Sequence, residues 1–255
     1  MKDGVQSMFL IGGGWDSESF SLTYGPFIDA STKNNRRKIM LILALEDDTD
    51  AEEMEAKYRV PFESFSLNHN EIETIFLSKD HPLSIDALIS VSPTGFFVGG
   101  GLTPLYHELL CQNTEWLDYL VENQIPYGGF SAGSAITSQR AVVGGWMRQA
   151  DEIDIPIIDE DVGEELNRLT VRDGLGLMPH SIDVHCGQWG TITRLINALD
   201  GDLIESGLGI DENTMIQVTG GSASVRGFGQ VYTVTHDENA GITIAISRHG
   251  DNIDL

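Results

Sequence analysis

The chain has 255 residues, long enough to bury a sizeable core, and its 41% hydrophobic and 21% charged residues are an ordinary globular mix that argues against disorder. Acidic side chains outnumber basic ones 39 to 15, giving a formal net charge of −24. A field of that sign repels phosphate backbones and anionic membrane, so neither nucleic acid nor a membrane is an expected partner.

Residues 1–14 hold a short apolar run, Met8-Phe9-Leu10-Ile11, that passes into glycines. They lack the basic lead, longer apolar region and small-residue cleavage site of a secretory signal. No segment nears the ~20 apolar residues needed to span a bilayer. Residues 7–11 read as a first strand ending in Gly12-Gly13-Gly14. The Trp15-Asp16-Ser17 that follows breaks the G-x-G-x-x-G dinucleotide spacing, so this turn reads as a tight exit from a sheet beside an active-site rim. Arg36-Arg37-Lys38, the one basic cluster, reads as a solvated approach to the continuously apolar strand 39–45. Residues 51–58 read as a helix, 62–67 as an alternating strand, and 71–77 as a helix. Residues 95–98 form a short strand opening into Gly99-Gly100-Gly101; 104–111 and 115–123 are helical; 127–130 lead as a strand into Ser131.

The pattern then changes. Residues 151–165 carry eight acids and no base (Asp151, Glu152, Asp154, Asp159, Glu160, Asp161, Glu164, Glu165). The simplest reading is a solvated loop with a frayed helix; a substrate-facing lid is the sharper one. Residues 191–199 are helical, and from Gly209 onward short strands alternate with Gly-rich turns, including 215–218 and 230–234. Alternating strands and helices define an α/β chain with a mostly parallel sheet, ending in β-hairpins. No repeat or linker divides it, so one domain over 1–255 is expected. Two cysteines, Cys111 and Cys186, make no disulfide framework, and a reducing cytoplasm is the simplest setting.

The strongest local signal is Gly129-Phe130-Ser131-Ala132-Gly133, a G-x-S-x-G after an apolar strand and before a small-residue helix start. A nucleophilic hydroxyl has to stand at the top of the sheet on a strained turn, which small residues two positions to either side permit. The helix start then offers free N–H groups to a developing oxyanion. An ordinary turn with Ser131 as helix N-cap is the competing reading. A nucleophilic serine needs a base and an orienting acid. Of the seven histidines, His180 and His185 flank a strand-like stretch, and His185 lies at its C-terminal end, where open α/β sheets place their sites. A shared metal lacks a suitably spaced third ligand, and Cys186 reads as a small buried apolar residue; no metal or cofactor is expected. For the acid, Asp211 and Glu212 close an apolar run, and the residues alone do not separate them.

Four motifs in order, 96–103, 129–133, 182–185 and 209–214, make the chain resemble the dipeptidase E and cyanophycinase family of serine peptidases. The resemblance implies a three-layer α/β/α sandwich similar to class I glutamine amidotransferases. It also implies Ser131 as nucleophile, His185 as general base and Glu212 as orienting acid, with backbone N–H groups at Gly100, Gly101 and Ala132 forming an oxyanion hole. Asp183 and Arg194 match family positions, so Arg194 is expected to grip a substrate carboxylate as a planar bidentate donor, a surface helix arginine being the rival reading. Leu102 stands where the family usually has Asn or Gln, Val184 where it usually has Gln, and Trp189 and Thr191 where the cyanophycinase branch has arginines. The expected activity is hydrolysis of a short peptide or isopeptide, with an aspartyl residue at the cleaved bond as one option. The acid excess serves solubility or favours a cationic substrate. The rivals are an idle binding protein on the same fold and, more weakly, a glutaminase subunit; a homodimer is one of the open oligomeric states.

Overall fold

Strand β1 (Ser7–Ile11) is the pivot of the molecule, paired parallel on one side and antiparallel on the other. The computed structural model describes residues 5, 7–46, 50–150 and 152–255. Residues 1–4 and 6 of the N-terminal stretch and Asp151 of the acidic run lie outside these. After β1 come α1 (Phe20–Thr23), α2 (Gly25–Ala30), β2 (Ile39–Ala44), α3 (Ala51–Ser64), β3 (Ile72–Leu77) and α4 (Ile85–Val91). Strand β4 (Gly95–Val98), α5 (Thr103–Cys111), α6 (Glu115–Glu122) and β5 (Tyr127–Phe130) complete the parallel part, ordered β1-β5-β4-β2-β3.

Beyond the short α7 (Ala132–Ala135), β6 (Arg140–Gly144) pairs with β9 (Thr170–Asp173), and β7 (Met147–Ala150) makes a hairpin with β8 (Ile153–Pro156). Then follow β10 (Ser181–Val184), α8 (Cys186–Trp189), α9 (Ile192–Asp200) and β11 (Ser206–Ile210). The two C-terminal hairpins part company. β12 (Thr214–Thr219) and β13 (Ser222–Gly227) extend the large sheet antiparallel from β1, whereas β14 (Gln230–Asp237) and β15 (Gly241–Arg248) join a second sheet, ordered β10-β11-β14-β15. A two-residue β16 (Asn252–Ile253) closes the large sheet, which has eight strands.

The period-2 rule for strands explains how the sheet is covered on both faces. Phe9 and Ile11 of β1, Leu41 and Leu43 of β2 and Phe97 of β4 point to one side, into a core with Tyr24 between α1 and α2, Phe27 of α2, and Tyr58 and Phe62 of α3. Met8, Leu10, Met40, Ile42, Phe96 and Val98 point to the other, against α4 to α7 and the inner face of the second sheet. All six β2 side chains are buried, as a continuously apolar run requires. The layered α/β architecture is thus as expected, with one outer layer part helix and part sheet.

Two local expectations are overturned. Residues 62–67 are not a strand: α3 continues to Ser64, because Tyr58 and Phe62 at i, i+4 bury one helical face and this outweighs the alternation. Residues 71–77 are not a helix but the edge strand β3, parallel to β2. Ile72, Ile75 and Phe76 at i, i+3 and i+4 match the helical period, and β-branched residues beside an unsatisfied sheet edge override it in favour of the strand.

Candidate active site

The G-x-S-x-G segment is shaped by contact. A Cβ on Gly133 would lie 2.4 Å from the Val98 carbonyl oxygen, and one on Gly129 would lie 2.6 Å from that of Gly133. The helix start therefore packs on β4 only because both positions lack side chains. Between them Ser131 takes φ 51° and ψ −113°, a backbone conformation worth about 1–3 kcal/mol of strain for a non-glycine residue. The turn is held by the Ser131 N–H donating to the Ile11 carbonyl at 2.9 Å, and by the Gly133 N–H donating to Gly99 at 3.0 Å.

His185 ends β10 in the left-handed region, with φ 55°. Its N–H donates to the Gly12 carbonyl at 3.0 Å, and Asn213 N–H donates to Gly13 at 2.7 Å, so the first glycine turn ties both later segments to the end of β1. The expectation of a tight exit beside the site rim describes this geometry. Gly13, at φ +113°, is indispensable: a Cβ there would stand 2.1 Å from His185 Cε1.

These turns bring together three groups far apart in the chain. Ser131 Oγ lies 2.8 Å from His185 Nε2, and His185 Nδ1 lies 2.8 Å from Glu212 Oε1. A carboxylate oxygen accepts, which puts the ring proton on Nδ1 and leaves the Nε2 lone pair facing the hydroxyl. Burial pulls the imidazole below the usual histidine value, opposed by the hydrogen bond and charge of Glu212. Asp211 and Glu212 are placed differently. Asp211 turns inward and accepts from Gly187 N–H at 2.7 Å and Gln230 N–H at 2.9 Å, fixing the loop. Glu212 faces the histidine, with its own N–H donated to Gln188 Oε1 at 2.8 Å.

The relay sits in a cleft of about 780 Å³ that Gly100, Gly101 and Leu102 also line. Gly100 does not fit the oxyanion role expected of it, because its N–H already donates to the Tyr58 hydroxyl at 2.6 Å. Among the described residues the N–H groups of Gly101 and Ala132 have no such partner. The loop bearing Gly101 is braced from 61 residues away: Glu164 Oε2 accepts from Thr103 N–H at 2.9 Å, and Glu164 Oε1 from the Thr103 hydroxyl at 3.1 Å. Burial raises the Glu164 carboxyl above its usual range, against the pull of the Thr103 hydrogen bonds. The acidic run is accordingly mixed. Its β8 stretch is exposed, while Asp161, Val162, Glu164 and Glu165 line the cleft.

Arg194 and Asp183 depart from expectation. Arg194 Nε and Nη2 donate to the two Asp183 oxygens at 2.8 and 2.7 Å, and Nη1 donates to the Val162 carbonyl at 3.1 Å. Both residues are buried and neither lines the cleft. With its fork already filled, this guanidinium is a brace between β10, α9 and the acidic loop, neither a substrate clamp nor a surface arginine. Cys186 is fully buried and its thiol is pushed well above the usual value by burial, as suits an inert core residue. His180 Nδ1 lies 2.7 Å from the Ser206 hydroxyl, and among the described residues no group of three His, Cys, Asp or Glu is placed to hold a metal.

A parallel α/β sheet with a serine on an elbow at its carboxyl edge is the scaffold of serine-type hydrolases. The sequence matches the profile of Peptidase family S51 over residues 8–226, and the chain belongs to that family of serine-type peptidases. Comparison with curated proteins finds no match. Among solved structures the chain is similar to the crystal structure of a peptidase from an acI-B1 Actinobacterium, at 15% identity and a TM-score of 0.68, covering 98% of this chain and 97% of that one. That likeness speaks to the fold alone. No helix among the described residues is long and apolar enough to cross a membrane.

Proposed function

We propose that this peptidase hydrolyses short peptides or isopeptides through Ser131, His185 and Glu212. The observation that carries the reading is the unbroken pair of 2.8 Å hydrogen bonds from hydroxyl to imidazole to carboxylate on the wall of a peptide-sized cleft. Ser131 Oγ attacks the carbonyl carbon while Nε2 takes its proton. The Gly101 and Ala132 N–H groups receive the oxyanion. The imidazolium returns the proton to the leaving amine, and water releases the acyl group by the same path in reverse. Glu212 holds the ring tautomer and the positive charge throughout.

For the substrate, the cleft lining favours one charge. Asp50, Glu53, Asp161, Glu164 and Glu165 face Lys57, whose Nζ stands 4.5 Å from the centroid of the Trp15 ring. An aspartyl side chain at the cleaved bond would meet that single ammonium, since Arg194 is closed on Asp183. A peptide bearing a free amine or basic side chain suits the lining better.

The test is a dipeptide-library digest with a Ser131→Ala control. Hydrolysis by the wild type, reduced on the order of 10⁶-fold in the variant, supports the assignment. Equal rates for the two proteins would end it.

A further inference from the structure

The relay leaves one contact to its base unexplained. The Trp189 indole lies flat on the His185 imidazole, with centroids 3.8 Å apart and planes 6° from parallel. Trp189 is 46% exposed, so core burial does not account for its place. The short α8 supplies the geometry, because residues i and i+4 of a helical turn lie one above the other. Gly13 packs against the same ring and is barred from carrying a side chain by that closeness. The imidazole therefore has an aromatic face and a bare backbone segment as neighbours, besides the partners of its two nitrogens.

We propose that Trp189 is a positioning residue for His185, holding the ring in the orientation that serves Ser131 and favouring its protonated form through the indole face. This deepens the triad reading and rests on it. Two physical effects are involved. Stacking resists rotation of the imidazole about its own axis, which would otherwise break both nitrogen contacts at once. An electron-rich face also attracts the cation that forms when the Ser131 proton arrives at Nε2. The charged groups around the ring are Glu212 on the loop after β11, Asp183 on β10 and Arg194 on α9, with Asp50, Glu53, Lys57, Asp161, Glu164 and Glu165 lining the same cleft. Asp183 and Arg194 neutralise each other, and of these charged groups Glu212 alone is hydrogen-bonded to the imidazole. Trp189 acts beside that carboxylate without adding charge.

The test compares Trp189→Leu, which keeps an apolar cover on the ring but removes the π face, with Trp189→Phe, which keeps both. Loss of the face destabilises the imidazolium, so the His185 pKa falls. The acid limb of kcat/KM then moves to lower pH by about half a unit in Trp189→Leu. The kcat is expected to drop about 10-fold with KM little changed, since the ring and not the substrate has lost its support. Trp189→Phe should recover most of both.

Proton NMR titration of His185 in the resting chain reads the same pKa without turnover. In the wild type its ring protons should also be shifted upfield by the indole current. These resonances separate the two readings: a midpoint that falls in Trp189→Leu supports the clamp even if no peptide is cut, and one that rises overturns it. Identical midpoints, shifts and pH profiles in wild type and Trp189→Leu would overturn it, even in an active enzyme. A fall in activity that Trp189→Phe fails to restore would overturn it as well.

Discussion

Two charged pairs hang from the same strand end, and they differ in nearly every physical respect. Asp183 and Arg194 meet through two hydrogen bonds of 2.8 and 2.7 Å, with side chains 2% and 4% exposed. Two residues on, His185 and Glu212 meet through one bond of 2.8 Å, with side chains 8% and 25% exposed. The first pair is buried, with Arg194 donating to both Asp183 oxygens and to the Val162 carbonyl, so it fixes β10, α9 and the acidic loop. The second keeps one nitrogen free for a hydroxyl and one carboxylate partly hydrated, so its proton can move. The contrast teaches that a bidentate arginine close to a site is not thereby a substrate ligand; what its fork already holds decides.

Breaking the open pair should cost activity and leave the fold. Glu212→Gln keeps an oxygen near Nδ1 but removes the charge that stabilises the imidazolium. It should lower kcat by about 10⁴-fold at an almost unchanged melting temperature, measured by peptide hydrolysis beside thermal unfolding. Breaking the closed pair should do the reverse. Arg194→Met strands the Asp183 carboxylate in the interior and should cost about 3–5 kcal/mol in denaturant midpoint experiments. Asp183→Asn combined with Arg194→Met should win part of that back, because no lone charge is then buried. An Arg194→Met protein as stable as wild type would show that the pair is not the brace described above.

The smallest effect sharpens the comparison by pH. Burial lowers the His185 pKa in the folded chain, so the neutral base persists into more acid solution than an ordinary histidine allows. The kcat/KM profile should rise with pH along a limb centred below the usual value of about 6.5 and be lost as pH falls through it. A limb centred above that value would mean that Glu212 outweighs desolvation.

Local chemistry made much of this legible. The strand ends at Ile11 and Val98 follow from apolar runs closed by glycine, and the elbow after Phe130 follows from Gly129 and Gly133 bracketing Ser131. Period alone misled at residues 62–67 and 71–77, windows too short for it to decide, where only the neighbours β2 and the helical core could choose. The expected oxyanion set failed at Gly100, because nothing near that glycine announces a tyrosine hydroxyl from 42 residues upstream. Glu164 was hidden for the same reason: a carboxylate capping Thr103 across 61 residues leaves no spacing to read. Trp189, in contrast, left a signal. It stands four residues after His185, a helical spacing that places it over the ring.

Mass spectrometry of the chain after treatment with a fluorophosphonate tests the relay most directly. A single stoichiometric adduct on Ser131, formed in the wild type and absent from a His185→Ala variant, is the predicted result. An unlabelled Ser131, or equal labelling with and without the imidazole, would contradict it.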